Sequence, residues 1–168
     1  MVANSGTAID APSHRYPGTT DVAHLALSSV ADVDAVVVHL RGMRGQAIDR
    51  AALAALDVHH RAVLLDTGWA AHWGTPAYLQ AQPFLSRDGA EYLRDQGAVL
   101  VGIDALNIDD TSDPQRPAHS ILLAAGIPIV ENLASLATLP AEGLRFSAVP
   151  MRMEGMGTFP VRAWARLV

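Results

Sequence analysis

Apolar and polar positions alternate along the chain in short blocks. Mostly apolar runs at 35–40, 62–65, 98–103, 127–130, 146–151 and 160–168 have the length of strands. Helix signals lie between them. Residues 48–56 are rich in Ala and Leu. Ser86 stands where it caps a helix running to Gln96, with Gly97 as its stop. Pro117 opens a helix over 118–125 that Gly126 ends. Residues 2–9 suit a short strand and turn, followed at once by Asp10-Ala11-Pro12-Ser13-His14. No repeat, low-complexity tract or linker interrupts the series. The pattern predicts one compact α/β domain over 1–168, with more strand than helix and mixed strand directions. Termini fray unless tied down, so chemistry near residue 10 requires the first segment to pair into a sheet or against another subunit.

Composition narrows the chemistry. Hydrophobic residues make up 50% of the 168 positions and charged residues 17%, below the roughly 25% of ordinary soluble domains. That balance favours a well-buried fold, one that also buries surface in an oligomer. No apolar run reaches the ~18 residues of a membrane helix. The first residues lack the basic-then-apolar order of a signal peptide, so a cytoplasmic location without membrane attachment is expected. The absence of Cys excludes disulfides, iron–sulfur clusters, thiolate zinc sites and Cys nucleophiles. All 12 basic residues are Arg, which removes a phosphate-loop lysine and Schiff-base chemistry. A net charge of −5, without an Arg cluster, argues against nucleic acid as a partner.

A few side chains stand out. Glu131 follows the apolar run Ile127-Pro128-Ile129-Val130, and an acid ending a buried strand must be paired, protonated or metal-bound. His119 begins the helix leading into that strand, so a helix–strand hairpin can return it towards Glu131. Asp10 and His14 lie four apart; extended, that span is ~13 Å, so a turn at Pro12 is needed to bring them to one pocket. A turn-capping Asp10 is the alternative. Trp69, in Thr67-Gly68-Trp69 after a strand, is a pocket wall or plain core. Asp104, in Gly102-Ile103-Asp104, either supports a site or caps a helix. His24, His39, His59, His60 and His72 form no ligand spacing.

Together these segments resemble the cyclase or kynurenine-formamidase-like metal hydrolases. The family signature His-x-Gly-Thr-His-x-Asp-x-Pro-x-His appears here as Asn4-Ser5-Gly6-Thr7-Ala8-Ile9-Asp10-Ala11-Pro12-Ser13-His14. Thr67-Gly68-Trp69, Gly102-Ile103-Asp104, His119, Glu131-Asn132-Leu133, Val149-Pro150-Met151 and Pro160-Val161-Arg162-Ala163 follow in family order. The resemblance implies the family's swivelling fold, with mixed β-sheets around a pocket, flanking helices and a homodimer or larger homo-oligomer. It also implies hydrolysis of a small-molecule substrate, a formamide or cyclic amide, by metal-activated water. Carried over by position, Asp10, His119 and Glu131 become metal ligands, His14 the acid/base, and Trp69 a flank for an aromatic or heterocyclic substrate. Two departures qualify this. Signature histidines are replaced by Asn4 and Ala8, which leaves donors for one divalent ion, Zn²⁺ or Mn²⁺. The chain also begins almost on the motif, without the usual N-terminal strand. Those losses leave open a repurposed relative without hydrolase activity: a non-hydrolytic cyclase or dehydratase, a ligand-binding protein, or a structural subunit.

Overall fold

The computed structural model describes residues 5–168. Its strands are β1 (Ala8–Asp10), β2 (Val33–His39), β3 (Ala47–Ile48), β4 (Ala62–Asp66), β5 (Phe84–Leu85), β6 (Leu100–Ile103), β7 (Ile129–Glu131), β8 (Leu144–Ser147), β9 (Thr158–Pro160) and β10 (Trp164–Leu167). Its α-helices are α1 (Leu27–Val30), α2 (Arg50–Leu53), α3 (Arg87–Asp95) and α4 (Pro117–Ala124). An eight-stranded sheet runs in the order β10-β8-β2-β4-β6-β7-β1-β9, and β3 pairs with β5 in a small parallel ribbon. The four central strands β2, β4, β6 and β7 are parallel; β8 and β1 flank them antiparallel, and β10 and β9 pair antiparallel to β8 and β1 in turn.

Both faces of the central strands are covered, which explains their continuous apolar runs. Side-chain alternation divides one strand between two cores. Val36, Val38, Val63 and Leu65 pack with Leu93 of α3 and Leu122 of α4. Ala35, Val37 and Leu64 pack on the other face with Ile9, Val130 and Phe146. Among the described residues no helix is long and apolar enough to cross a membrane.

The helix that contains His119 and the one over 87–95 follow the expected signals. The Ser86 side chain accepts Gly89 N at 3.2 Å, and Gly97 stops α3 at φ +79°. Pro117 is the first residue of α4, which gives way to Gly126 at φ +75°. Elsewhere the local pattern misjudges the elements. The helix expected over 48–56 shrinks to α2, because fully buried Ile48 is taken by β3 in register with Leu85. The strand expected over 146–151 begins earlier, at Leu144, and ends at Ser147, short of Pro150 with its missing donor. The run 160–168 divides into β9 and β10, which end on opposite edges of the sheet. Residues 1–4, Asn4 among them, lie outside the described residues. The first strand, expected over 2–9, is seen as β1, tied between β7 and β9 of the same chain.

Candidate metal centre

The site is assembled where β1 lies between β7 and β9. Ala8 faces Glu131 across the β1–β7 pair, and Asp10 faces Thr158 across the β1–β9 pair. Residues opposed in an antiparallel pair share a face, so Ala8, Asp10, Glu131 and Thr158 project to one side. That side is the one α4 packs upon, since Ile129, opposite Asp10, shares a core with Ala118 and Leu122. The helix thereby lowers His119 onto the two carboxylates.

Beyond β1, the chain folds back in a 3-10 turn over Pro12–His14, with His14 N donating to Ala11 O at 2.9 Å. The turn that the Asp10–His14 spacing required is present, and it sets His14 Nδ1 3.9 Å from Asp10 Oδ1. Gly157 braces it from β9's side: Ala11 N donates to Gly157 O at 2.8 Å. A Cβ at position 157 would stand 2.6 Å from both Cα and N of His14, so only glycine allows this backbone approach.

His119 is wholly buried. Its Nδ1 lies 2.6 Å from Asp109 Oδ2, while Nε2 lies 3.4 Å from Asp10 Oδ2 and 3.5 Å from Glu131 Oε1. Among the described residues, Nε2 makes no hydrogen bond. Glu131 Oε1 accepts Ile108 N at 2.8 Å. One ligand atom from each of Asp10, His14 and His119 falls within 4.8 Å of the others, and Glu131 adjoins that trio through His119.

Electrostatics reflect this crowding. Burial, reinforced by the Asp10 charge, pushes the Glu131 carboxyl up to about 8. Burial disfavours charge on His119, yet the Asp10, Asp109 and Glu131 carboxylates around the ring outweigh it, raising it to about 9. Burial also acts against ionised Asp10, but His119 and His14 overcome it and hold that carboxyl below its ordinary value. His14 is shifted down, first by desolvation, with the Asp10 charge opposing and His119 and Arg116 assisting. Acidic and imidazole groups thus share protons in a buried cluster, an arrangement a divalent cation would relieve. An Nε2 unpartnered among the described residues and a nitrogen–oxygen donor set fit a divalent cation.

The family described as "Putative cyclase" matches residues 1–110. The chain belongs to this cyclase family. Over 99% of its length it is 31% identical to the "Kynurenine formamidase" of Geobacillus thermodenitrificans, covering 77% of that protein. Identity to the "Kynurenine formamidase" of Salinibacter ruber is 33%, with the same coverage of each chain. A solved "Potential Metal-Dependent Hydrolase With Cyclase Activity" superposes with a TM-score of 0.80 at 28% identity, over 97% of this chain and 78% of that one. An isatin hydrolase bound to the product analogue thioisatinate shares the fold, with a TM-score of 0.87 at 23% identity over 100% of this chain and 73% of that one.

Around this cyclase-family site, three residues stand out that the sequence left unmarked. Asp109 contacts His119 Nδ1, but nothing in an Asp-Asp pair ahead of a helix announces it. Trp73 and Tyr78 line a cavity of about 560 Å³ with Leu79, Leu106, Gly6 and Asn132, the residue after Glu131. Trp69 lies behind this wall, packed partly buried on the core, with Nε1 donating to Tyr78 O at 3.1 Å. Tyr78 itself donates to Asn132 Oδ1 at 2.8 Å. Asp104 takes the capping role: it accepts Thr67 N at 3.1 Å and Ala70 N at 3.4 Å, fixing the turn that carries Trp69. Of the remaining histidines, His39 pairs with buried Asp66 at 2.8 Å and His24 with Asp21 at 2.6 Å.

Proposed function

We propose that this protein is a metal-dependent amidohydrolase that cleaves a formamide or a cyclic amide. The observation that carries the reading is the convergence of Asp10 and Glu131 on a buried His119 Nε2 that has no hydrogen-bond partner among the described residues. Asp10, His119 and Glu131 would hold one divalent cation, Zn²⁺ or Mn²⁺. Ala8, opposite Glu131, offers no donor for a second. A cation there supplies Lewis acidity, bringing the pKa of water from 15.7 towards about 7 and polarising a carbonyl oxygen.

His14 manages the protons. Arg116 can only donate, so its Nη2, 3.3 Å from His14 Nε2, assigns the lone pair to Nε2 and the proton to Nδ1 beside Asp10. A protonated Nδ1 has no lone pair for a cation, which favours the base role over ligation. Half-buried and shifted down, the ring is neutral at pH 7. As general base and then general acid, His14 would take a proton from the attacking water and deliver it to the departing amide nitrogen. The apolar cavity suits the substrate's aromatic or heterocyclic part: Trp73 and Tyr78 offer ring faces and edges, Asn132 a polar end, and Trp69 backs Tyr78. The names of the formamidase and isatin-hydrolase relatives support an acyl group on an aromatic nitrogen.

The test is hydrolysis of an N-formyl aromatic amine and of isatin by the metal-loaded chain, beside Glu131→Gln. Turnover of either substrate by the native chain and its loss in the variant are expected. Turnover of neither, or an unimpaired variant, overturns the proposal.

A further inference from the structure

The connection between β6 and α4 reaches two of the proposed ligands through adjacent residues. Ile108 N donates to Glu131 Oε1, and Asp109 Oδ2 receives His119 Nδ1. Asp109 is buried, and its carboxylate also accepts Ala118 N at 2.6 Å and His119 N at 3.1 Å. One side chain therefore fixes both the first turn of α4 and the imidazole that this turn carries. The connection is itself anchored: Leu85 N donates to Ile108 O at 2.8 Å, and Gln82 Nε2 to Asn107 O at 2.9 Å. Asp109 N closes the loop onto Asn107 Oδ1 at 2.9 Å.

We propose that Asp109 is a positioning residue that fixes the ring orientation and proton placement of His119, so that Nε2 presents its lone pair beside Asp10 and Glu131. This rests on the metal-dependent reading above. A carboxylate only accepts hydrogen bonds, so the proton at this contact belongs to Nδ1 and the coordinating electrons to Nε2. An anionic acceptor behind an imidazole also raises its basicity as a ligand. Asp109→Asn keeps a carbonyl oxygen for Ala118 N but turns an NH₂ towards Nδ1 and the backbone N of His119. That amide donates to Nδ1, moves the ring proton to Nε2 and occupies the atom meant for the cation.

The experiment is calorimetric titration of the full native chain and of Asp109→Asn with Zn²⁺. The expected result is an affinity lower by about 10- to 100-fold in the variant, with an unchanged far-ultraviolet circular dichroism spectrum. Binding within twofold of the native chain overturns the role of Asp109. A second measurement does not depend on the variant folding: the native chain, ¹⁵N-labelled at histidine and loaded with Zn²⁺, is examined by long-range ¹H–¹⁵N correlation. His119 is expected to carry its proton on Nδ1 and the metal on Nε2; the reverse pattern overturns the proposal. A native chain that takes up no Zn²⁺ defeats the metal-dependent reading and this proposal together, whereas native binding with an unaffected variant defeats the positioning role alone.

Discussion

Replacing Gly157 with alanine is the sharpest way to move His14 without touching it. The added Cβ would stand 2.6 Å from His14 Cα and N and 3.0 Å from the carbonyl carbon of Ser13, all of them backbone atoms. Ordinary van der Waals contact is 3.4–4 Å, so the Pro12–His14 turn and the approach to β9 must separate by about 1 Å. Forced separations of this kind cost about 1–3 kcal/mol. In a chain of this length, ~1 kcal/mol lowers Tm by about 2–4 °C, so a fall of about 2–12 °C is expected. The functional effect is larger, because a 1 Å misplacement of a reacting group costs on the order of 10²-fold. Scanning fluorimetry reads the first quantity, and kcat/KM on an N-formyl aromatic amine at saturating metal reads the second. A Tm within about a degree of native, together with an unchanged kcat/KM, would refute the close packing of Gly157 beneath the turn.

His14→Ala should retain the cation while losing about 10²–10⁴-fold in kcat, whereas His119→Ala should lose the cation itself; metal loss in His14→Ala would instead make it a ligand. Saturating Zn²⁺ at 100 times its Kd should stabilise the protein by about 2.7 kcal/mol in chemical denaturation, and a chelator should reverse the gain; no response contradicts a native-state site. Metal-free protein should become less stable as pH rises from 6 to 9. Folded Glu131 and His119 hold protons up to about 8 and about 9, while the unfolded chain releases them near 4.5 and 6.5, so the folded state binds more protons across this window. A higher urea midpoint at pH 9 than at pH 6, with chelator present, would contradict that. Trp164 and Leu167, exposed on the outer strand β10, are expected to be covered in an oligomer; a monomeric profile by light scattering at micromolar concentration would count against it.

The central sheet was legible because strands buried on both faces must be apolar throughout, as Ala62–Asp66 is up to its last residue. Helix punctuation was equally plain at Ser86, Gly97, Pro117 and Gly126. What could not be read locally depended on partners far along the chain. Ile48 becomes a strand because Leu85 lies beside it, and Thr158–Pro160 leaves its neighbours to pair with Ala8–Asp10. The candidate site divides in the same way. Pro12 between Asp10 and His14 already demanded a turn, and Glu131 at the end of a buried strand already demanded a partner. Asp109 gave no such signal, since its work is done through a loop closing onto a helix start. Trp73, not Trp69, reaches the cavity because the turn anchored by Asp104 directs the earlier indole inwards.

The measurement that bears most directly on the central claim is elemental analysis of the purified, untagged chain after dialysis from excess Zn²⁺ and Mn²⁺. One equivalent of zinc or manganese per chain, reduced to background by Glu131→Gln, is the result expected from a single cation gripped by Asp10, His119 and Glu131. A chain that retains no metal, or a variant that retains it in full, would contradict the account.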